Sequence, residues 1–149
     1  MDINRLTEDA VSLLKEMIAI PSPSFEENEV CSHICSWLNT KEINHQRIGN
    51  NIIAEHITDA DKPTLMLCAH IDTVSPSPEY SFDPYKPENC PEDMVQGLGS
   101  NDDGASVVSM TAAYMYLCVH SRKNIILVIT CEEERSGKGG MTGLWGSRI

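Results

Sequence analysis

The sequence predicts an α/β domain of layered helix-sheet-helix type, and three observations predict it. Apolar stripes at helical spacing alternate with short continuous apolar runs, Thr64 to Ala69 and Asn124 to Thr130, of the kind that form buried parallel strands. A mostly apolar stretch from Ala105 to Val119, broken mainly by small Ser and Thr residues, lies between the two runs and suits a buried helix. Titratable residues gather at His70 and Asp72, at Asp102 and Asp103, and at Glu132, Glu133 and Glu134. These groups recur at intervals of roughly 30 residues, the length of one βαβ unit.

The elements follow in order. Thr7 with Glu8 and Asp9 reads as a helix N-terminus, and Leu6, Ala10, Leu13, Leu14, Met17 and Ile18 form one stripe before Pro21, which predicts a helix over 8–19. Ser24-Phe25-Glu26-Glu27 fits a capping box, with Glu27 reaching back, and opens a second helix through Val30, Ile34, Trp37 and Leu38 to near Thr40. Two short strands, 44–48 and 51–56, flank Gly49-Asn50, a pair tolerant of the positive φ of a hairpin turn. Residues 75–91 hold five prolines and predict a long irregular loop near the site. Five of the nine glycines fall in the last thirteen residues, a tail poorly suited to continue a helix.

At 149 residues the chain matches one ordinary domain, long enough to remove about 70% of its unfolded surface from water. A formal net charge of −11 argues against sequence-independent binding to nucleic acid or to an anionic membrane, since both require clustered Lys and Arg. The 105–119 stretch is too short and too mixed to span a bilayer. Most of the acids belong on a solvated surface, and divalent ions would neutralise the few that do not. The six cysteines include no C-x-x-C pair, and MDINRLTEDA has no basic segment followed by an apolar one. They read as structural thiols of a cytoplasmic protein.

In an extended strand, side chains two apart share a face. The end of LMLCAHIDTV therefore aims His70 and Asp72 together, a metal-binding imidazole and a carboxylate able to hold its other ring nitrogen. Open α/β sheets bind ligands at the carboxyl ends of their strands, where His70 and the glutamate group stand. Oxygen donors with one imidazole per ion suit a paired divalent site, commonly zinc, with a carboxylate between the ions. Asp102 is the natural bridge, because the helix beginning near Ala105 offers it backbone amides and a positive dipole end, and Gly97, Gly99 and Gly104 allow the chain to turn around it. Adjacent residues leaving a strand point apart, so one of Glu133 and Glu134 can bind metal while the other takes a proton from attacking water and gives it to a departing amine. That chemistry is amide hydrolysis. A lone H-x-D is more often a surface pair and a lone E-E-E a solvated turn, but shared strand-end placement and regular spacing reverse the balance. His33, His45, His56 and His120 have no carboxylate pattern and are assigned to surface or packing.

LMLCAHIDTVSPSPEYSFDPY, GLGSNDDGASVV and ITCEEERSGKGG resemble the three catalytic-domain motifs of the co-catalytic zinc aminoacylase and carboxypeptidase family, and the resemblance runs from Leu6 to about Gly140. It implies a zinc-peptidase-like catalytic domain with two Zn2+ per complete site, Co2+ being a substitute. By the same resemblance His70 binds one ion, Glu134 binds the other, Asp102 bridges both, Asp72 orients His70 and Glu133 is the general base. A non-proline cis peptide between Asp102 and Asp103 is also implied. Leu98 stands where family members commonly have Arg, and the Lys-Gly pair expected after the bridging region is missing. G-L-G-S-N-D-D-G-A looks closest to the acetylornithine deacetylase-like branch, which implies a small N-acyl amino acid substrate and a place in arginine biosynthesis. A di- or tripeptidase, a carboxypeptidase of the same family, and a non-catalytic remnant are the alternatives.

Family enzymes are longer, with a downstream acidic ligand, an inserted dimerisation and substrate-capture domain, and a late His ligand. Residues 1–149 therefore read as the truncated N-terminal portion of a catalytic domain, weak or inactive alone, with a homodimer expected only of the full-length parent. The tail MTGLWGSRI reads as departing from the family.

Overall fold

Asp2 opens the first helix. Its carboxylate accepts from the Asn4 amide at 3.0 Å, and α1 runs over Ile3–Ile18, ahead of the predicted start at residue 8. Thr7 is not the N-terminal signal, because its hydroxyl donates to the Ile3 carbonyl inside the helix. The computed structural model, which describes residues 2–86 and 90–147, also revises the second helix. Phe25 sits at φ 76°, in the left-handed region, so no helix can run through it, and α2 spans Asn28–Thr40. The predicted capping box is absent: Ser24 and Glu27 bond elsewhere, as set out below.

The strands are β1 (Gln46–Ile48), β2 (Asn51–His56), β3 (Thr64–His70) and β4 (Asn124–Thr130), with α3 (Gly104–His120) crossing between the last two. β1 and β2 form the predicted hairpin, with Gly49 at φ 60° in its turn. They join a single mixed sheet in the order β1-β2-β4-β3, in which β3 and β4 are parallel and β2 and β4 antiparallel. Alternation along each strand divides two layers. Ile52, Ala54, Ala69, Leu127 and Ile129 face α1, α2 and α3, packing with Leu13, Leu14, Ile34, Leu38 and Val107. Ile53 and Val128 point to the opposite face.

That opposite face carries α4 (Met141–Ser147), which corrects the reading of the glycine-rich tail. Leu144 is fully buried against Ile53 and Val128. Burying a leucine contributes about 1.5–3 kcal/mol, enough to offset the roughly 1 kcal/mol that each of Gly143 and Gly146 withdraws from a helix. Leu144→Ala is accordingly expected to lower unfolding free energy by about 2–5 kcal/mol in a urea titration. Of the predicted loop at 75–91, residues 87–89 lie outside the described residues and the remainder forms neither helix nor strand.

Candidate metal centre

Because β3 and β4 run in the same direction with His70 paired to Thr130, the segments after both strands leave the sheet at one edge. A third segment, the loop from Gly97 into α3, reaches the same place. Gly97 and Gly99 adopt φ of 140° and 75° there, the freedom that the turn around Asp102 requires. The Asp102–Asp103 peptide is cis, in agreement with the expectation from the motifs.

The structure brings all five sequence-predicted residues together. His70 Nε2 lies 3.2 Å from Asp102 Oδ1 and 3.8 Å from Glu133 Oε2. Its Nδ1 faces both the Asp72 carbonyl oxygen at 3.1 Å and Asp72 Oδ1 at 3.3 Å. One donor atom each from His70, Asp102 and Glu134 lie within 4.8 Å of one another. An imidazole nitrogen with two carboxylate oxygens is a donor set suited to a divalent transition ion. Burial, and then the facing Asp102 carboxylate, push Glu134 above its usual range, a crowding of like charge that a cation would relieve.

One expectation about Asp102 is corrected. Asp103 occupies the position ahead of α3, and the largely exposed Asp102 carboxylate bonds His70 Nε2 instead of a backbone amide. Asp103, which carries no pattern of its own in the sequence, accepts from the His70 backbone amide at 3.2 Å.

Support comes from residues that local pattern does not flag. Asp72 is fully buried and its carboxylate accepts from Ser24 Oγ at 2.7 Å and from the Glu133 and Glu134 amides, each at 3.0 Å. Ser24 reaches it because Pro23 and Thr73 form a parallel bridge, with Thr73 N donating to Ser22 O and Ser24 N to Thr73 O. The two preceding amides are also held, Cys131 N by Asn51 Oδ1 and Glu132 N by Glu27 Oε1, both at 3.1 Å. Glu132 itself takes φ 59° and accepts from Gly139 N, and a Cβ at Gly137 or Gly139 would overlap its carboxylate. Part of the glycine-rich tail therefore serves this turn.

In the metal-free chain, hydrogen bonding to Asp72 raises His70 to about 9 against the opposing effect of burial. Burial alone would raise Asp72, but hydrogen bonds from His70, Ser24 and the two amides outweigh it and hold the carboxyl near about 2. The raised His70 pKa stabilises the fold fully below pH 6.5 and ceases to do so as pH climbs through about 9. The lowered Asp72 pKa stabilises it above pH 3.8 and is lost as pH falls through about 2. These are two views of one pair. Metal-free protein should lose on the order of 2–3 kcal/mol from this pair between pH 6.5 and 9 in denaturant titrations, and His70→Gln should flatten that decline.

The other four histidines lie apart from the centre: His33 pairs with Glu16, His45 Nδ1 meets the Ile43 carbonyl, His56 ends β2 opposite Ile125, and His120 packs on Tyr116. All six cysteines are free thiols, and burial pushes Cys31 and Cys131 up to about 12. Among the described residues no helix is long and apolar enough to cross a membrane.

The sequence profile of peptidase family M20/M25/M40 matches residues 66–148 of the 149, a span that includes the segments carrying His70, Asp102 and Glu134. The chain belongs to peptidase family M20/M25/M40. The M20 match continues through the tail after Gly140, which overturns the reading of that tail as foreign to the family. A probable carboxypeptidase of Emericella nidulans is 29% identical over 137 residues, covering 87% of this chain and 32% of the relative. The cytosol non-specific dipeptidase of Escherichia coli is 24% identical over 146 residues, 89% of this chain and 30% of the relative. Succinyl-diaminopimelate desuccinylase of Wolinella succinogenes is 25% identical over 133 residues, 87% and 35%. The chain thus spans about a third of the length of these curated relatives. In fold it matches a dinuclear metal-binding M20 peptidase of Bacillus subtilis at TM-score 0.70 and 17% identity, covering 96% of this chain and 39% of that one. An M20 metallo-carboxypeptidase of Sulfolobus solfataricus matches at TM-score 0.70 and 19% identity, over 84% and 31%.

Proposed function

We propose that this chain supplies one wall of a two-zinc centre that hydrolyses an amide bond, with His70 on one ion, Glu134 on the other and Asp102 shared. The observation that carries the reading is the convergence of three donor atoms, from segments far apart in sequence, within 4.8 Å. When bound, the ions supply Lewis acidity toward the scissile carbonyl and the attacking water. Asp72 fixes the His70 ring through Nδ1, leaving Nε2 as the outward donor. Glu133, 61% exposed at the rim, takes the proton from attacking water and delivers it to the departing amine.

The chain spans about a third of its relatives' length, and we assign the remaining ligands, any lid and any dimer contact to the rest of the whole protein. On its own this chain then binds metal weakly and turns over little. The substrate is a small N-acyl amino acid, on the resemblance of residues 97–105 to the acetylornithine deacetylase-like branch, with a role in arginine biosynthesis. A dipeptide substrate is the second reading, favoured by the carboxypeptidase and dipeptidase relatives. Free, burial-protected thiols fit a cytoplasmic setting.

Titration of the metal-free chain with Co2+, followed by visible absorption, tests the centre: a tetrahedral or five-coordinate band is expected, lost in His70→Ala. Binding unaffected by that substitution would overturn it. Assays of the whole protein on N-acetylornithine, N-acetylcitrulline and dipeptides then decide between the two substrates.

A further inference from the structure

We propose that Glu27 is a positioning residue of this centre, acting through the turn that carries Glu133 and Glu134. The inference rests on the metal-site reading above and adds a residue that touches neither the ligand atoms nor the rim.

Four consecutive backbone N–H groups, at Cys131, Glu132, Glu133 and Glu134, leave β4 without a strand partner. Each is held instead by a buried side chain, in turn Asn51, Glu27, Asp72 and Asp72, whose residues are at most 1% exposed. Two of these three holders have an evident place already, since Asp72 faces His70 and Asn51 begins β2. Glu27 does not. It is 0% exposed, yet no cation accompanies its carboxylate among the contacts described. Its partners are the Phe25 amide at 2.8 Å and the Glu132 amide at 3.1 Å, both on Oε1, and Asn50 Nδ2 at 3.0 Å on Oε2.

Burying a carboxylate without a counter-ion is unfavourable unless each oxygen is well supplied with donors. An apolar residue here would leave three donors without an acceptor and a glutamine would supply only one accepting oxygen, whereas both oxygens of the carboxylate accept. Glu132 is the residue with φ 59°, the point at which the chain turns sharply so that Glu133 and Glu134 face the strand ends. Glu27 grips that residue's amide while its other oxygen ties to the β1–β2 hairpin through Asn50, so the turn is fixed against two separate elements of the fold. Groups that orient metal ligands from behind commonly change affinity by 10–100-fold when removed.

The test compares Glu27→Ala, Glu27→Asp and Glu27→Gln with wild type in two measurements. The first is hydrogen exchange at the 131–134 amides of the metal-free chain. The second is Co2+ affinity by absorption titration. Glu27→Ala should accelerate exchange at Glu132 through Glu134 and weaken Co2+ binding by about 10–100-fold. Glu27→Asp, which keeps the charge but shortens the reach, should weaken binding in the same direction and replaces the alanine variant if that one does not fold. Glu27→Gln keeps an acceptor oxygen for both amides but turns its Nε2 toward Asn50 Nδ2, a donor against a donor, and so should weaken Co2+ binding less than Glu27→Ala does. Ile125→Val, a core change at the far end of β4, should lower thermal stability and leave Co2+ affinity unchanged. Wild-type affinity in a folded Glu27→Ala or Glu27→Asp protein overturns the proposal, as does an equal loss in Ile125→Val. If wild type itself binds no Co2+, the metal-site reading fails, and the exchange data then report a turn clamp without a metal role.

Discussion

Replacing Asp72 by alanine is expected to be the most damaging single change in this chain, at about 3–5 kcal/mol of unfolding free energy. The carboxylate is fully buried and serves Ser24 Oγ, the Glu133 and Glu134 amides and His70 Nδ1 at once. Its loss strands several donors away from water, and each such orphan costs about 1–3 kcal/mol. Asp72→Asn separates shape from charge. Its amide nitrogen cannot accept, so one of the two backbone N–H groups is opposed by another donor. Stability should fall less than in the alanine variant, while affinity for Zn2+ or Co2+ falls about 10–100-fold because His70 is no longer oriented by an anion. Urea titration and metal titration of the two variants check this, and Asp72→Asn with unchanged metal affinity would remove Asp72 from the site.

Glu133→Gln should give the opposite profile. The side chain is 61% exposed and makes its nearest polar approach to His70 at 3.8 Å, so its substitution should shift unfolding by no more than about 0.5 kcal/mol. In the whole protein, turnover should fall by about 10²–10⁴-fold, the range that a positioned general base contributes, with metal affinity within about threefold of wild type. Glu134→Gln should instead lower metal affinity. If Glu133→Gln loses metal and Glu134→Gln retains it, the two roles are reversed.

The parts of the fold legible in the sequence are those in which one pattern has one structural meaning. β4 announces itself by a short continuous apolar run, α3 by a longer one broken mainly by Ser and Thr, and His70 and Asp72 by their place at the end of such a strand run. Ser24 and Glu27 read as a capping box because a capping box and a long-range clamp use the same residue types. Only the left-handed Phe25, visible in the folded chain, separates the two. Asn51 carried no signal beyond the start of a strand, although its amide bonds to Ile48, Cys131 and Gly139. The helical tail escaped because glycine counting weighs local propensity, whereas Leu144 finds a tertiary pocket that propensity does not register. An acidic residue kept at zero exposure is the one feature of Glu27 that sequence cannot express.

The pairing of His70 with Thr130 makes this protein unequally tolerant of insertions and deletions. Removing a single residue from within β3 would invert the pleat and turn the imidazole from the face it shares with Met66 and Cys68 to the face covered by α1, α2 and α3, even though composition would be almost unchanged. Adding several residues between Ser75 and Tyr85 alters no strand phase. Length polymorphism among homologous chains should thus concentrate in the proline-rich excursion, while the distance in residues from Thr64 to Asp72 behaves as a fixed reading frame.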